Sequence, residues 1–105
     1  MPSVDQQYDE AIALQEKGDL QAAIDKLESV LVENPEHPLS HSALSVFLGR
    51  LQRYDEAVEH AKRVCELEPD DSFSFVALSL ICQKAGRLAE AEEASMQARR
   101  MQYSG

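Results

Sequence analysis

Three histidines, two cysteines and several adjacent acids are the residues of this chain best able to do chemistry. His37 and His41 are four apart with Glu36 beside them, a spacing at which two imidazoles on one helix face hold a metal ion. His37, however, precedes the helix expected from Pro38, and no cysteine or second carboxylate completes a ligand set. His41 is expected in a half-buried slot and His37 at a loop edge. His60 is expected on an outer face, paired with Glu56 one turn earlier. Asp9-Glu10, Asp70-Asp71 and Glu92-Glu93 are neighbours in sequence, so their carboxylates diverge on a helix or cap its start. General acid–base work needs both groups at one reacting atom. Ser40, Ser42, Ser45, Ser72, Ser74 and Ser79 have no base at a spacing that would activate them. Gly18, Gly49, Gly86 and Gly105 are isolated, so no glycine-rich loop cradles a phosphate. Cys65 and Cys82 fall at apolar-periodic positions outside any CxxC pair, which predicts buried free thiols in a reducing compartment. No catalytic group, metal or cofactor is expected, and the chain is read as a non-enzyme.

The elements that carry these residues repeat every 34 positions. Gly18-Asp19-Leu20-Gln21-Ala22-Ala23-Ile24, Gln52-Arg53-Tyr54-Asp55-Glu56-Ala57-Val58 and Gly86-Arg87-Leu88-Ala89-Glu90-Ala91-Glu92 are variants of one phrase, and Pro35 and Pro69 share the interval. A period of this size marks stacked helical units. Helices are predicted over 4–16, 20–33, 38–51, 54–67, 72–85 and 88–102. Leu20, Ala23, Ile24, Leu27, Val30 and Leu31 form a one-sided apolar stripe, and Tyr54, Ala57, Val58, Ala61, Val64 and Cys65 repeat it. In the last helix the stripe is mostly small: Leu88, Ala91, Ala94, Ser95 and Ala98. Gly18 and Gly86 sit where a left-handed residue ends a helix. Gln52 takes that place in the middle unit and must make the bend without glycine or bend differently. Asn34-Pro35 and Glu68-Pro69 stop helices, because the residue before proline is pushed out of helical geometry. Pro38 suits a first turn, and Asp70 or Asp71 suits a cap. Short connections make consecutive helices antiparallel. The chain is read as one domain, 1–105, with repeats at about 4–37, 38–71 and 72–105.

The 105 residues carry 19 acids against 10 Lys and Arg, a formal charge of -9. Residues 1–37 hold nine acids and two bases, and residues 72–105 hold three and four. Such a surface disfavours phosphate backbones, and Arg99-Arg100 is too small a basic face for nucleic acid. By net charge alone it mildly favours basic partners, or contact between the negative first unit and the near-neutral last one. No stretch is long and apolar enough to enter a membrane, and the first residues lack the features of a secretory leader. The expected location is cytoplasmic.

The phrases Gly18…Ala23…Leu27…Val30…Pro35 and Tyr54…Ala57…Ala61…Val64…Pro69 resemble the tetratricopeptide repeat, as does Gly86…Ala91…Ser95…Ala98, with Tyr103 in place of the proline. The resemblance covers about residues 4–103. In the first helix of each unit the family's leucine, small residue and aromatic fall on Glu10, Ala11 and Leu14, on Leu44, Ser45 and Leu48, and on Leu78, Ser79 and Cys82. Its opening aromatic falls on Gln7, His41 and Phe75. Unit one departs at Gln7 and Glu10, so its first helix is expected to be frayed, displaced or packed on something absent from a simple monomer. The fold implied is all-α: three tandem helix-turn-helix repeats stacked as a right-handed α-solenoid.

The resemblance further implies protein binding in a concave groove lined by the first helix of each unit. The expected contact residues are Tyr8, Ile12, Leu39, Ser42, Val46, Arg50, Phe73, Val76, Leu80, Gln83 and Lys84. Phe73, Val76 and Leu80 line one side of the fifth helix while Phe75, Leu78 and Cys82 line another. A helix apolar on two faces packs against its own stack and against something else. The partner expected is a protein, through an extended apolar peptide or an amphipathic helix. A family subgroup grips a chaperone's C-terminal carboxylate with groove lysines and asparagines. The matching places here hold Tyr8, Ile12, Ser42, Val46, Val76 and Leu80, leaving Arg50 and Lys84 at the edge, so that role is not expected. The alternative is a self-assembling structural scaffold unit that uses the groove and the uncapped C-terminal end. The family usually covers its last repeat with a further helix, none follows here before Gly105, and Met96 and Met101 add apolar surface near that end.

Overall fold

A computed structural model describes residues 2–104; Met1 and Gly105, the outer limits expected for the domain, lie outside them. Six helices follow one another: α1 (Val4–Glu16), α2 (Leu20–Glu33), α3 (Pro38–Arg50), α4 (Tyr54–Leu67), α5 (Ser72–Lys84) and α6 (Leu88–Ser104). No strand occurs among the described residues. The helices pack pairwise, α1 on α2, α3 on α4 and α5 on α6, and the pairs join through α2 with α3 and α4 with α5. The body measures 43 × 28 × 21 Å, the elongated form of a stack in which each unit touches its neighbours.

The turn inside each unit is three residues long and built identically. Asp19 N–H donates to the Leu14 carbonyl at 3.0 Å and Gly18 N–H to the Gln15 carbonyl at 2.9 Å. Arg53 and Gln52 repeat the pair on Leu48 and Gly49, and Arg87 and Gly86 repeat it on Cys82 and Gln83. This is the paired closure that a left-handed residue allows after a helix. Gly18 and Gly86 have φ of 90° and 76°, and Gln52 makes the same bend at φ 62°. Of the two ways open to Gln52, it takes the strained one.

Caps fix the helix starts. Ser3 forms a capping box with Gln6, Asp19 accepts from Ala22 N–H at 3.0 Å, and Asp71 accepts from Phe73 N–H at 3.0 Å. Of the two candidate acids before α5, it is Asp71 that caps. Helix α1 is not frayed, and its two departures from the repeat pattern both have partners. The buried Gln7 amide donates to the Glu33 carboxylate at 2.8 Å and to the Pro2 carbonyl at 3.2 Å. Glu10 pairs with Lys26 at 2.9 Å. Those contacts satisfy a polar side chain where an aromatic would otherwise fill volume.

The core runs through all three units along Ala11, Ile24, Leu27, Leu44, Leu48, Val58 and Cys82, each at most 3% exposed. Its last portion is lined by the small side chains of Ala91, Ala94 and Ala98, and the buried Ser79 hydroxyl donates to the Ala91 carbonyl at 2.9 Å.

Candidate functional site

A recess lies between α3 and α5, floored by α4. Its volume is about 330 Å³. Ser42, Ser45, Val46, Gly49 and Arg50 form one wall, Ser74, Ala77, Leu80, Ile81 and Lys84 the other, and Ala61 and Val64 the floor. The hollow comes from side-chain size: Ser42, Ser45, Ser74 and Ala77 are too small to fill the space between the helices. Gly49 marks a close approach, since a Cβ there would stand 3.1 Å from Ile81 Cδ1. Arg50 and Lys84 close the rim at the C-terminal ends of the two helices, and the Arg50 guanidinium lies 5.7 Å from the Phe47 ring centre.

Five of the eleven expected contact residues, Ser42, Val46, Arg50, Leu80 and Lys84, line this recess. Leu39, Phe73 and Val76 are exposed outside it, within the first two turns of α3 and α5. Phe73 is 77% exposed, Leu39 56%, Leu80 55%, Val46 51% and Val76 37%, so the second apolar face of α5 is open. Gln83 is exposed and lies apart from the recess. Tyr8 and Ile12 do not join these residues. Both are half-buried against the core, and the Tyr8 ring meets His37 edge-on at 5.8 Å. Ala61 and Val64 belong to the repeat's stacking stripe and also floor the recess, a double use that the stripe does not reveal. Ser45 and Ala77 could have been found from the run of small residues at helical spacing on the walls.

Several ionisable groups elsewhere are held in structural contacts. His41 is buried more deeply than the half-buried slot expected, and His60 is turned inward and not paired with Glu56. Its Nδ1 lies 3.0 Å from His41 Nδ1, and Glu56 instead bonds Arg53. His41 Nε2 reaches the Pro35 carbonyl at 2.7 Å, and His37 Nδ1 reaches Ser40 Oγ at 2.7 Å. Glu90 is gripped by Arg87 at 2.8 Å and Lys62 at 2.7 Å, and those hydrogen bonds lower its carboxyl pKa to about 2. Cys65 and Cys82 are buried free thiols. Burial pushes Cys65 up to about 11 and raises Cys82, so neither is a ready thiolate at neutral pH. Among the described residues no group of three His, Cys, Asp or Glu is placed to hold a metal ion, and no helix is long and apolar enough to cross a membrane.

The family model of the tetratricopeptide repeat matches residues 8–72. The chain belongs to the tetratricopeptide repeat (TPR) family. No curated protein matches this TPR chain in sequence. Its fold is similar to that of a solved TPR structure, MamA residues 41 to the end from Desulfovibrio magneticus RS-1, at TM-score 0.83 and 24% identity. That likeness covers 94% of this chain and 56% of the MamA chain. The chain thus spans little more than half the length of that protein. The Sgt2 TPR domain from Aspergillus fumigatus is similar at TM-score 0.84 and 21% identity, over 100% of this chain and 70% of that one. The second TPR of Spaghetti (RPAP3), solved bound to an HSP90 peptide, is similar at TM-score 0.82 and 16% identity, over 93% and 91%. At these identities the likeness establishes an all-α TPR solenoid.

Proposed function

We propose that this TPR chain is a non-enzymatic interaction module that binds a peptide or amphipathic helix of another protein across α3 and α5. The observation that carries the reading is the open apolar strip Leu39, Val46, Phe73, Val76 and Leu80 beside a recess of about 330 Å³. Contiguous exposed apolar surface in a soluble fold marks an interaction site. Grooves of this kind take the anchor side chains of a helix or an extended segment. The Spaghetti domain's peptide complex supports the reading by fold. Two buried thiols fit a reducing, cytoplasmic setting. The test is capture on immobilised protein, comparing wild type with Leu80→Asp and Val76→Asp. Proteins retained by wild type and lost by both variants support the module, and equal retention by all three contradicts it.

A second reading, self-assembly, draws on α6. Met96 and Tyr103 are exposed there, beside Glu92, Arg99 and Arg100, around a shallow depression. Yet Glu92 and Arg99 stand where α2 buries Ile24 and half-buries Leu31, and where α4 buries Val58 and Cys65. This polar register favours the module over the scaffold. Mass in solution across a concentration range separates them: the module is a monomer, whereas the scaffold is an oligomer disrupted by Met96→Asp.

A further inference from the structure

We propose that the segment bound in this groove is acidic as well as apolar: an apolar side chain enters the recess while a neighbouring carboxylate meets Arg50 and Lys84. This specificity rests on the module reading above and runs against the partner suggested by the net charge of -9. The charge is distributed unevenly between the two kinds of helix. Helices α3 and α5 are 13 residues each and hold none of the chain's 19 acids, so the groove face of units two and three is set apart from the acidic remainder.

Arg50 and Lys84 are 34 apart, the same place in successive units, and both line the recess. Among the described residues neither makes an ion pair, whereas Lys26, Arg53, Lys62, Arg63 and Arg87 do; Lys17, Arg99 and Arg100 are also unpaired but lie away from the recess. The helix dipole favours a cation in any last turn, but α1, α2, α4 and α6 have none there. Two unpaired cations beside an apolar recess, with no acid in its lining, form the electrostatic complement of a carboxylate next to an apolar anchor. The same place in unit one is Glu16, so the basic strip ends at α3 and the carboxylate contact belongs to units two and three. Ser42 and Ser45 add hydroxyls along one wall that can bond the backbone of the guest.

The experiment is selection from a display library of random short peptides on the full chain, with Leu80→Asp as the counter-selection. Wild type is expected to enrich peptides of net negative charge that carry a large apolar residue. The double variant Arg50→Glu/Lys84→Glu is expected to enrich basic peptides and to bind the wild-type pool more weakly by on the order of tenfold. Both side chains are exposed, so the variant should fold, and Arg50→Gln/Lys84→Gln replaces it if its melting curve is lost. Neutral or basic peptides on wild type, or a pool unchanged in charge by the reversal, overturn the acidic specificity and leave the groove reading standing. No enrichment over Leu80→Asp overturns the groove reading itself. A dimer of the chain dissociated by Val46→Asp puts a second copy in the recess and overturns the proposal.

Discussion

His41 and His60 face each other Nδ1 to Nδ1 at 3.0 Å and tie α3 to α4. Because His41 Nε2 donates to the Pro35 carbonyl at 2.7 Å, the neutral His41 ring accepts at Nδ1, and His60 must donate from its own Nδ1. Burial first, and the His41 ring second, hold the His60 pKa below 6.5. A histidine whose folded pKa is depressed adds stability that is present above its unfolded value and lost as pH falls through the folded one. The urea midpoint is therefore expected to drop as pH falls below about 6.5, with a loss of about 1 kcal/mol when the hydrogen bond is disrupted. His60→Gln should flatten this dependence. An equal slope in both proteins would remove the pair as its source.

Gln52 takes the left-handed place at φ 62° that glycine fills in the other two units. A side chain there costs about 1 kcal/mol relative to glycine. Gln52→Gly should raise unfolding stability by roughly that amount. Gly18→Ala and Gly86→Ala should each lower it similarly by strain alone, since nothing lies within 4 Å of either added Cβ. Urea unfolding of the three variants checks the set, and a neutral or destabilising Gln52→Gly would contradict it.

Core and groove residues should separate cleanly in stability. Leu27 and Leu44 are fully buried, and truncation of either to alanine should cost about 2–5 kcal/mol. Phe73 is equally apolar but 77% exposed, so Phe73→Ser should change stability by no more than about 0.5 kcal/mol. Thermal melts of the three variants test the division. A large loss on Phe73→Ser would place that ring in the fold's own packing.

Glu90 carries a second pH signature in a lower window. Its carboxyl is held down to about 2 by Arg87 and then Lys62, from an ordinary value of 4.5. A depressed carboxylate contributes stability that is present above the unfolded value and lost as pH falls toward the folded one. The melting temperature should fall between about pH 4.5 and pH 2, less steeply in Glu90→Gln, and added salt should weaken the difference. Identical acid profiles for the two proteins would show that the Arg87–Glu90–Lys62 cluster is energetically idle.

The helices were legible because their signals are local. The prolines, the left-handed turns and the apolar stripes place all six helix starts and three of the six stops to the residue. Leu51 and Ala85 prove to be caps, and α6 runs two residues further than expected, to Ser104. The pairing of His41 with His60 was not legible. It spans 19 residues and two helices, whereas Glu56 is the local partner that helical spacing offers. The site was legible as a face and not as a shape. Repeat position brings Val46 with Leu80 and Arg50 with Lys84, but it also nominates Tyr8 and Ile12, which the first unit draws against its core. Small residues at helical spacing mark Ser45 and Ala77 on their own helices, but that both border one recess with Ala61 and Val64 of a third helix is a matter of how the helices pack.

The role proposed for the exposed apolar strip of α3 and α5 is to bind a guest without contributing to the fold. Its most direct test is a fluorescence anisotropy titration of a labelled, library-selected peptide against wild type and Leu80→Asp, with the unfolding midpoint measured on the same samples. Binding to Leu80→Asp is expected to be weaker by on the order of tenfold or more, since a carboxylate would be buried in the recess, at an unchanged midpoint. Superimposable binding curves for the two proteins would contradict it.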